Sequence, residues 1–403
     1  MKGLKNLQES CIRASGGNRK RGQNLMVDLI EEKQIKTGNL TLDNFKPRAF
    51  FDVMVENIED YNLDSPKEVS EAISSTAFPT LMTKVISPII FDEMELELGD
   101  AGKLVTERTA TRPQENMLGF LGLDDLSLVP EQMPYPEIEF GEKKIQIKMD
   151  KFGGICSLTR EAILFDQTGD LADKGRKIGE LAGAKRHRHI IEKAIDGAIN
   201  ATGEAANTGL KYDGTNYRIY NTAHDGTGTG SEDIDGQTNN NYLSTQTFGT
   251  TALKTAYTYF GMLTNSKGRK LTTAYPTQLL VPSYLYLDAD QLLNSPLNYD
   301  TSNNAITPSK FKGIQVLTSP WLDYATAPAG CSNGLTNISY YLGNFPKQLY
   351  WLWAWKPTID TQTASSDSAF DRDVVMRTKL SYFGGCGHVD YRYTQRNIYT
   401  VAS

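Results

Sequence analysis

The spacing of hydrophobic positions along this 403-residue chain changes several times, and each change marks an element. From Thr168-Gly169-Asp170 onward no proline occurs for thirty residues. Leu171, Ile178, Leu181, Ile191, Ala194, Ile195 and Ala198 recur there near a helical period. The pattern predicts a helix about 45 Å long, a strut rather than a core helix. Gly175, Gly179 and Gly183 fall on one face of it. Each weakens the helix by about 1 kcal/mol relative to Ala, a cost that close approach of another backbone would offset. Ahead of this helix, Gly153-Gly154 predicts the end of a strand, and Thr159–Phe165 a short helical piece.

Elsewhere the periods are shorter. Ser65, Pro66 and Glu68 form a helix start, and Pro79 and Pro88 predict that the following segment is cut into short pieces. Residues Gly99–Asp150 read as a long hairpin, with Lys103–Arg112 strand-like. Ile145, Ile147 and Met149 alternate with Lys144, Gln146, Lys148 and Asp150, the period of a half-exposed strand. Such a hairpin has edges that can pair, so it suits a chain whose neighbour covers it. Phe248–Leu263 reads as a helix with Leu253, Ala256, Tyr257, Phe260 and Leu263 inward. Gln278–Val281, Ile314–Leu317, Tyr340–Phe345 and Leu349–Trp355 read as strands, with a helix at Ser283–Leu292. Leu349–Trp355 is apolar on both faces, Trp351, Trp353 and Trp355 sharing one of them, which implies burial between layers. A strand from Asp373 to Tyr382 is expected to break at Gly384-Gly385-Cys386-Gly387.

Composition narrows the chemistry. Hydrophobic residues make up 39% and the net charge is −6, so no overall positive excess announces nucleic-acid binding. Charge is nevertheless uneven. Met1–Asn24 carries six basic residues, Arg19, Lys20 and Arg21 among them, against one acid. That segment reads either as an arm touching nucleic acid or a partner subunit, or as a solvated tail. Lys185-Arg186-His187-Arg188-His189 interrupts the long helix. Consecutive residues point around the whole helix, so a solvated face is the plain reading and a partner-facing patch the sharper one. The two histidines there do not share a face for a metal. Asp225–Gly236 is Gly- and Asp-rich but lacks the lysine of a phosphate loop and the spacing of a calcium loop, and reads as a surface loop. Nucleophile elbows, zinc helices and Walker loops are absent, which points to no enzyme, no cofactor and no metal. Cys11, Cys156, Cys331 and Cys386 are far apart and suggest unpaired thiols. No run of residues has the length to span a bilayer.

Several of these motifs share a resemblance. The paired glycines, Thr159-Arg160-Glu161-Ala162, Phe165-Asp166, Thr168-Gly169 and the long helix after them are similar to the major capsid proteins of tailed phages. Phe78-Pro79-Thr80-Leu81, the acidic run Pro130–Glu139 and Val389-Asp390-Tyr391-Arg392 extend the resemblance over about Ser74 to Tyr399. It implies an α+β chain of the Hong Kong 97 capsid fold. The expected parts are an N-terminal arm with lead-in helices (1–98), an extended hairpin loop (99–150) and a peripheral domain with a spine helix (151–209). An axial domain (210–357) and a C-terminal return to the peripheral domain beside the spine helix (358–403) complete it. The implied function is an icosahedral shell around double-stranded DNA. The implied partners are other copies in hexamers and pentamers, scaffold, portal and decoration proteins, and DNA held by non-specific contact, with no membrane. Arg19, Lys20, Arg21, Lys185, Arg186 and Arg188 are the candidate assembly or genome-facing residues. An encapsulin-like compartment is the alternative within the fold; an unrecognised enzyme or a carbohydrate-binding module are the alternatives outside it.

Overall fold

The computed structural model describes residues 13–14, 77–123, 129, 131, 140–159, 168–196, 210–212, 215–217, 219–221, 238–246, 248–265, 267–271, 274–294, 313–324, 339–362 and 374–399. Arg19, Lys20, Arg21, the Ser65 helix start, the Thr159–Phe165 piece beyond Thr159 and the Asp225–Gly236 loop lie outside them.

Among the described residues the order begins with α1 (Ala77–Leu98), a 3-10 segment (Gly99–Leu104), β1 (Thr106–Thr109), β2 (Gln114–Leu123), β3 (Phe140–Lys148) and β4 (Asp150–Thr159). The long helix α2 (Thr168–Ile195) follows, then β5 (Leu210–Tyr212), β6 (Thr215–Tyr217), β7 (Tyr242–Gln246), α3 (Thr250–Met262) and β8 (Gln278–Val281). The chain continues through α4 (Tyr286–Asn294), β9 (Gln315–Thr318), β10 (Ser339–Gly343), the single turn α5 (Phe345–Gln348), β11 (Leu349–Gln362), β12 (Val374–His388) and β13 (Thr394–Tyr399). The mixture of helix and sheet is the expected α+β class.

Two compact units divide the chain. The first gathers residues up to Leu98, Lys151–Lys185 and Trp355–Tyr382. In it α1 lies on the N-terminal half of α2. A Cβ on Gly179 would stand 2.6 Å from the Ile90 carbonyl oxygen, and one on Gly183 2.7 Å from that of Met94. Both positions advance by four residues together, so the helices run parallel. This close seat explains why α1 is one helix and not the short pieces that Pro79 and Pro88 suggest. Pro79 fits a first turn, and Pro88 lies inside the helix. Burial of Ile90 and Met94, two and six residues later, offsets the hydrogen bond Pro88 removes. Strand β4 runs through Gly153-Gly154 without ending there. A side chain at Gly153 would meet the Leu380 carbonyl oxygen at 2.7 Å, so this glycine serves close strand packing rather than a break.

The second unit takes Gly99–Asp150, Arg186–Ala354 and Phe383–Ser403. Its five-stranded sheet has the order β7-β13-β10-β8-β9. Leu279 and Val281 of β8, and Tyr340 and Leu342 of β10, point to one face, where α3 and α4 pack through Leu253, Ala256, Phe260, Ala289 and Leu293. Helix α3 therefore buries the predicted side, with Tyr257 only partly covered. The hairpin is formed by β2 and β3, paired antiparallel from Gln114↔Lys148 to Leu123↔Phe140. The strand expected at Lys103–Arg112 is a 3-10 segment followed by the short β1, which pairs in parallel with β11 and not with the hairpin. At Ile145 the hairpin also gains β5, giving the order β2-β3-β5-β6. The alternation holds: Ile145, Ile147 and Met149 are buried, while Lys144, Lys148 and Asp150 are exposed.

Strand β12 passes through Gly384–Gly387 unbroken, contrary to the expectation from its glycines. A Cβ at Gly385 would stand 2.5 Å from the Lys148 carbonyl oxygen, and one at Gly387 would press on Ile147. The C-terminal strand β13 is held between β7 and β10 in the five-stranded sheet. Just before it, Asp390 accepts hydrogen bonds from the Arg392 backbone N–H at 3.0 Å and from its guanidinium at 2.6 Å, closing the turn with a buried pair.

Candidate functional site

Among the described residues, three constellations and one groove stand out. The first is the glycine seam, where α1 and α2 meet with backbone against backbone. The sequence reading named Gly175, Gly179 and Gly183 for this purpose, and all three are buried.

The second lies where α2 enters the second unit. Arg186 is only 6% exposed. Its guanidinium sits 4.9 Å from the centroid of Trp351 and 4.8 Å from that of Trp353. The two indoles meet edge to face at 5.3 Å. Arg186 Nη2 donates to Glu107 Oε1, and Trp353 Nε1 donates to Glu107 Oε2 at 3.0 Å. Arginine suits this place because its planar, weakly hydrated cation can stack on a ring and still pair with a carboxylate. His187 shares a hydrogen bond of 2.8 Å with Ser319 Oγ, and His189 approaches Trp351 edge-on at 5.8 Å. Arg188 pairs with Glu192 at 2.9 Å along the helix.

The expectation of one solvated or genome-facing cluster over 185–189 is thus corrected. Arg186 and His187 are internal, Arg188 is tied to its own helix, and only Lys185 is exposed. The physical reason is that α2 is buried on more than one side at this level, which a single apolar stripe does not reveal. Glu107, the acid that pairs with Arg186, had no signal in the sequence: it lies 79 residues away.

The third constellation is Lys193, Cys386 and His388. Burial pushes the Cys386 thiol up to about 12, against a smaller opposing pull from Lys193 and Arg186. Burial, with Lys193 adding to it, holds the His388 imidazole well below its ordinary value. Burial also lowers the Lys193 ammonium. A thiol held protonated beside a neutral imidazole is not an activated nucleophile. Cys386 and His388 are buried core residues, with Lys193 at their partly exposed margin. Among the described residues no group of His, Cys, Asp and Glu is placed to hold a metal. Among them also, no helix is long and apolar enough to cross a membrane.

The first unit carries an open apolar groove of about 290 Å³, lined by Phe152, Ile155, Ile178, Leu181, Lys185 and Tyr382. Ile155 is 64% and Leu181 70% exposed. Leu181 was expected on the buried stripe of α2. It faces outward because α1 occupies the glycine face instead. Lys185 reaches over the Phe152 ring at 5.6 Å. Nothing in this groove is arranged to react; an exposed apolar surface with a cationic rim is suited to contact.

No curated protein matches the sequence. Among solved structures, the capsid of the native GTA particle is similar at 12% identity, covering 75% of this chain and 91% of that one with a TM-score of 0.46. The capsid of the cyanophage P-SCSP1u is similar at 11% identity, covering 74% and 87% with a TM-score of 0.46. Gordonia phage Cozz is similar at 14% identity, covering 75% and 87% with a TM-score of 0.43. A family model described as phage capsid protein matches residues 142–397, a span that takes in the long helix, the tryptophan strand and the five-stranded sheet. With more than half its length inside that match, the chain belongs to the phage capsid protein family.

Proposed function

We propose that this chain is the major capsid protein of a tailed phage, folded in the Hong Kong 97 manner, and that copies of it close into an icosahedral shell around double-stranded DNA. The family match over 142–397 carries the reading. The architecture supports it. A long helix with a second helix packed on its first half suits a strut, and strand β2 of the hairpin stands at the edge of its sheet, where a neighbour can pair. Many modest contacts between copies then add through multivalency. On this reading the first unit corresponds to the peripheral domain and the five-stranded sheet to the axial domain, with rings built around the latter. The encapsulin alternative is not favoured, since the matching family is that of phage capsids.

Packaged DNA would be met by non-specific cationic contact. Lys185 is the member of the 185–189 run that stays available for this, together with Arg19, Lys20 and Arg21 of the basic N-terminal segment. Scaffold, portal and decoration proteins complete the expected partner set. No catalytic role is assigned. The test is to express the chain alone and with its neighbouring head genes, and to examine the product by sedimentation and electron microscopy. Closed shells or capsomer rings are expected; a product that stays a small oligomer at every concentration and in both settings would reject the reading.

A further inference from the structure

The groove of the first unit leaves apolar side chains in water. Ile178, Leu181 and Lys185 follow one another at spacings of three and four, so they form one stripe of α2. That stripe is turned away from the glycine face that holds α1. Phe152 and Ile155 of β4 and Tyr382 of β12 form the facing wall. Strand β4 is the last strand of its sheet, in the order β1-β11-β12-β4. A Cβ at Gly154 would meet nothing within 4 Å, so the wall is open there. Lys185 stands at the rim over Phe152 and takes part in no ion pair among the described residues. Such a surface suits an apolar partner with acids beside its apolar face.

The chain itself holds a stretch of that chemistry. Residues 49–60, which lie outside the described ones, read AFFDVMVENIED. Phe51, Met54, Val55 and Ile58 stand at i, i+3, i+4 and i+7, the spacing of a single helical stripe. Asp52, Glu56, Glu59 and Asp60 accompany them, with no Lys or Arg among these residues. Other acidic stretches fit less well. Pro130–Glu139 holds Pro130, Pro134 and Pro136, which are incompatible with a helical stripe. Leu25–Ile35 carries Lys33 and stands 41 residues before α1.

Connection favours the chain's own copy of the stretch. Helix α1 lies on α2 with Ile90 at Gly179, two residues before Leu181. Ala77, where α1 begins, precedes Ile90 by 13 residues, about 20 Å along the helix at 1.5 Å per residue. Sixteen residues, 61–76, join the acidic stretch to Ala77, and they can span up to about 53 Å. The stretch can therefore return to α2, and its attachment raises its effective concentration there above that of another copy. From these observations we infer that residues 51–60 dock in the groove of their own chain. Phe51, Met54, Val55 and Ile58 cover Ile155, Ile178 and Leu181, and the acids stand beside Lys185. This accounts for an apolar residue, Leu181, on an outward face of α2. The inference concerns a single chain and does not depend on the shell reading.

The test is amide hydrogen exchange on the full chain, dilute and unassembled. Residues 51–60 should exchange slowly in the unaltered protein. Leu181→Asp, at an exposed position, should keep the unfolding midpoint yet speed exchange over 51–60 by about tenfold or more. Lys185→Glu should speed it by about threefold. Contact with DNA would produce neither effect, because the chain carries none in this experiment. Carbodiimide coupling of an equal mixture of 15N-labelled and unlabelled chains, read by mass spectrometry, then identifies the occupant. Lys185 should be linked to one of Asp52, Glu56, Glu59 or Asp60, with both peptides always of the same isotope. Fast exchange over 51–60 in the unaltered chain, or exchange indifferent to Leu181→Asp, would overturn the inference. So would mixed-isotope links, which would place another copy in the groove, or links from Lys185 to Glu131, Glu137 or Glu139 in their stead.

Discussion

The two halves of helix α2 make close contacts by opposite means. In its N-terminal half side chains are absent. Gly179 and Gly183 let the backbone of α1 come so near that a single methyl would strike the carbonyl oxygen of Ile90 or Met94. In its C-terminal half the contact is made by bulk. Arg186 lies over two indoles, and Ile190, Ile191, Ala194 and Ile195 are fully buried. The first kind of contact depends on geometry, because two backbones cannot yield. The second depends on chemistry, because a cation removed from water needs both its rings and its carboxylate.

That contrast can be broken first at the glycines. Gly179→Val with Gly183→Val should separate α1 from α2 and cost about 4 kcal/mol, measured by denaturant unfolding. The milder Gly179→Ala gives the sharper reading of sign. On an open helix face it would stabilise by about 1 kcal/mol, whereas here it should destabilise. A stabilised Gly179→Ala variant would mean that the helices do not touch.

The chemical half should break next. Arg186→Ala strips both indoles of their cation and removes one partner of Glu107, leaving it Trp353, and should lower stability by about 3 kcal/mol. Glu107 is half exposed, so its loss of partner is cushioned by water. Arg186→Lys should recover only part of the loss, since an ammonium cannot stack and pair at once. Full recovery would show that charge alone matters.

A smaller effect concerns pH. His388 is held neutral by burial, so the unfolded chain binds one more proton than the folded chain below the ordinary histidine value. Stability should therefore fall as pH drops below about 6.5, by at most about 1.4 kcal/mol per pH unit from this group. Unfolding midpoints at pH 8 and pH 5.5 should differ less in His388→Gln than in the unaltered chain. An identical pH dependence would show that His388 takes up no proton on unfolding.

The smallest change is expected at Lys185, which is exposed at the rim of the groove. Lys185→Glu should alter stability by no more than about 0.5 kcal/mol. The DNA content of assembled particles should nevertheless drop, and unchanged content would remove Lys185 from the genome-facing set.

How much of this was legible in the sequence differs by region. The helix at α2, its glycine face, the inward side of α3, the alternation of β3 and the double-sided burial of Leu349–Trp353 could all be read from local spacing, whereas Trp355, expected on the buried face, is 41% exposed. Spacing misled wherever a residue's role depends on a distant neighbour. Pro88, Gly153 and Gly384–Gly387 carry the marks of interruption, yet they lie within a continuous helix and two continuous strands. Lys185–His189 looks like a charged surface, yet Arg186 and His187 are interior. In each case the local penalty is real, and a contact far away in the chain outweighs it.

The sequence alone determined the α+β class, the long helix and the strands of the second half, because periodicity and turn residues act over a few positions and persist whatever the surroundings; the order of its motifs carried the resemblance to phage capsid proteins. Only the tertiary structure decided which glycines are seams, which cation is buried and which face of α2 stays open. Those outcomes are set by which backbone arrives from elsewhere, and one chain position holds no record of that partner.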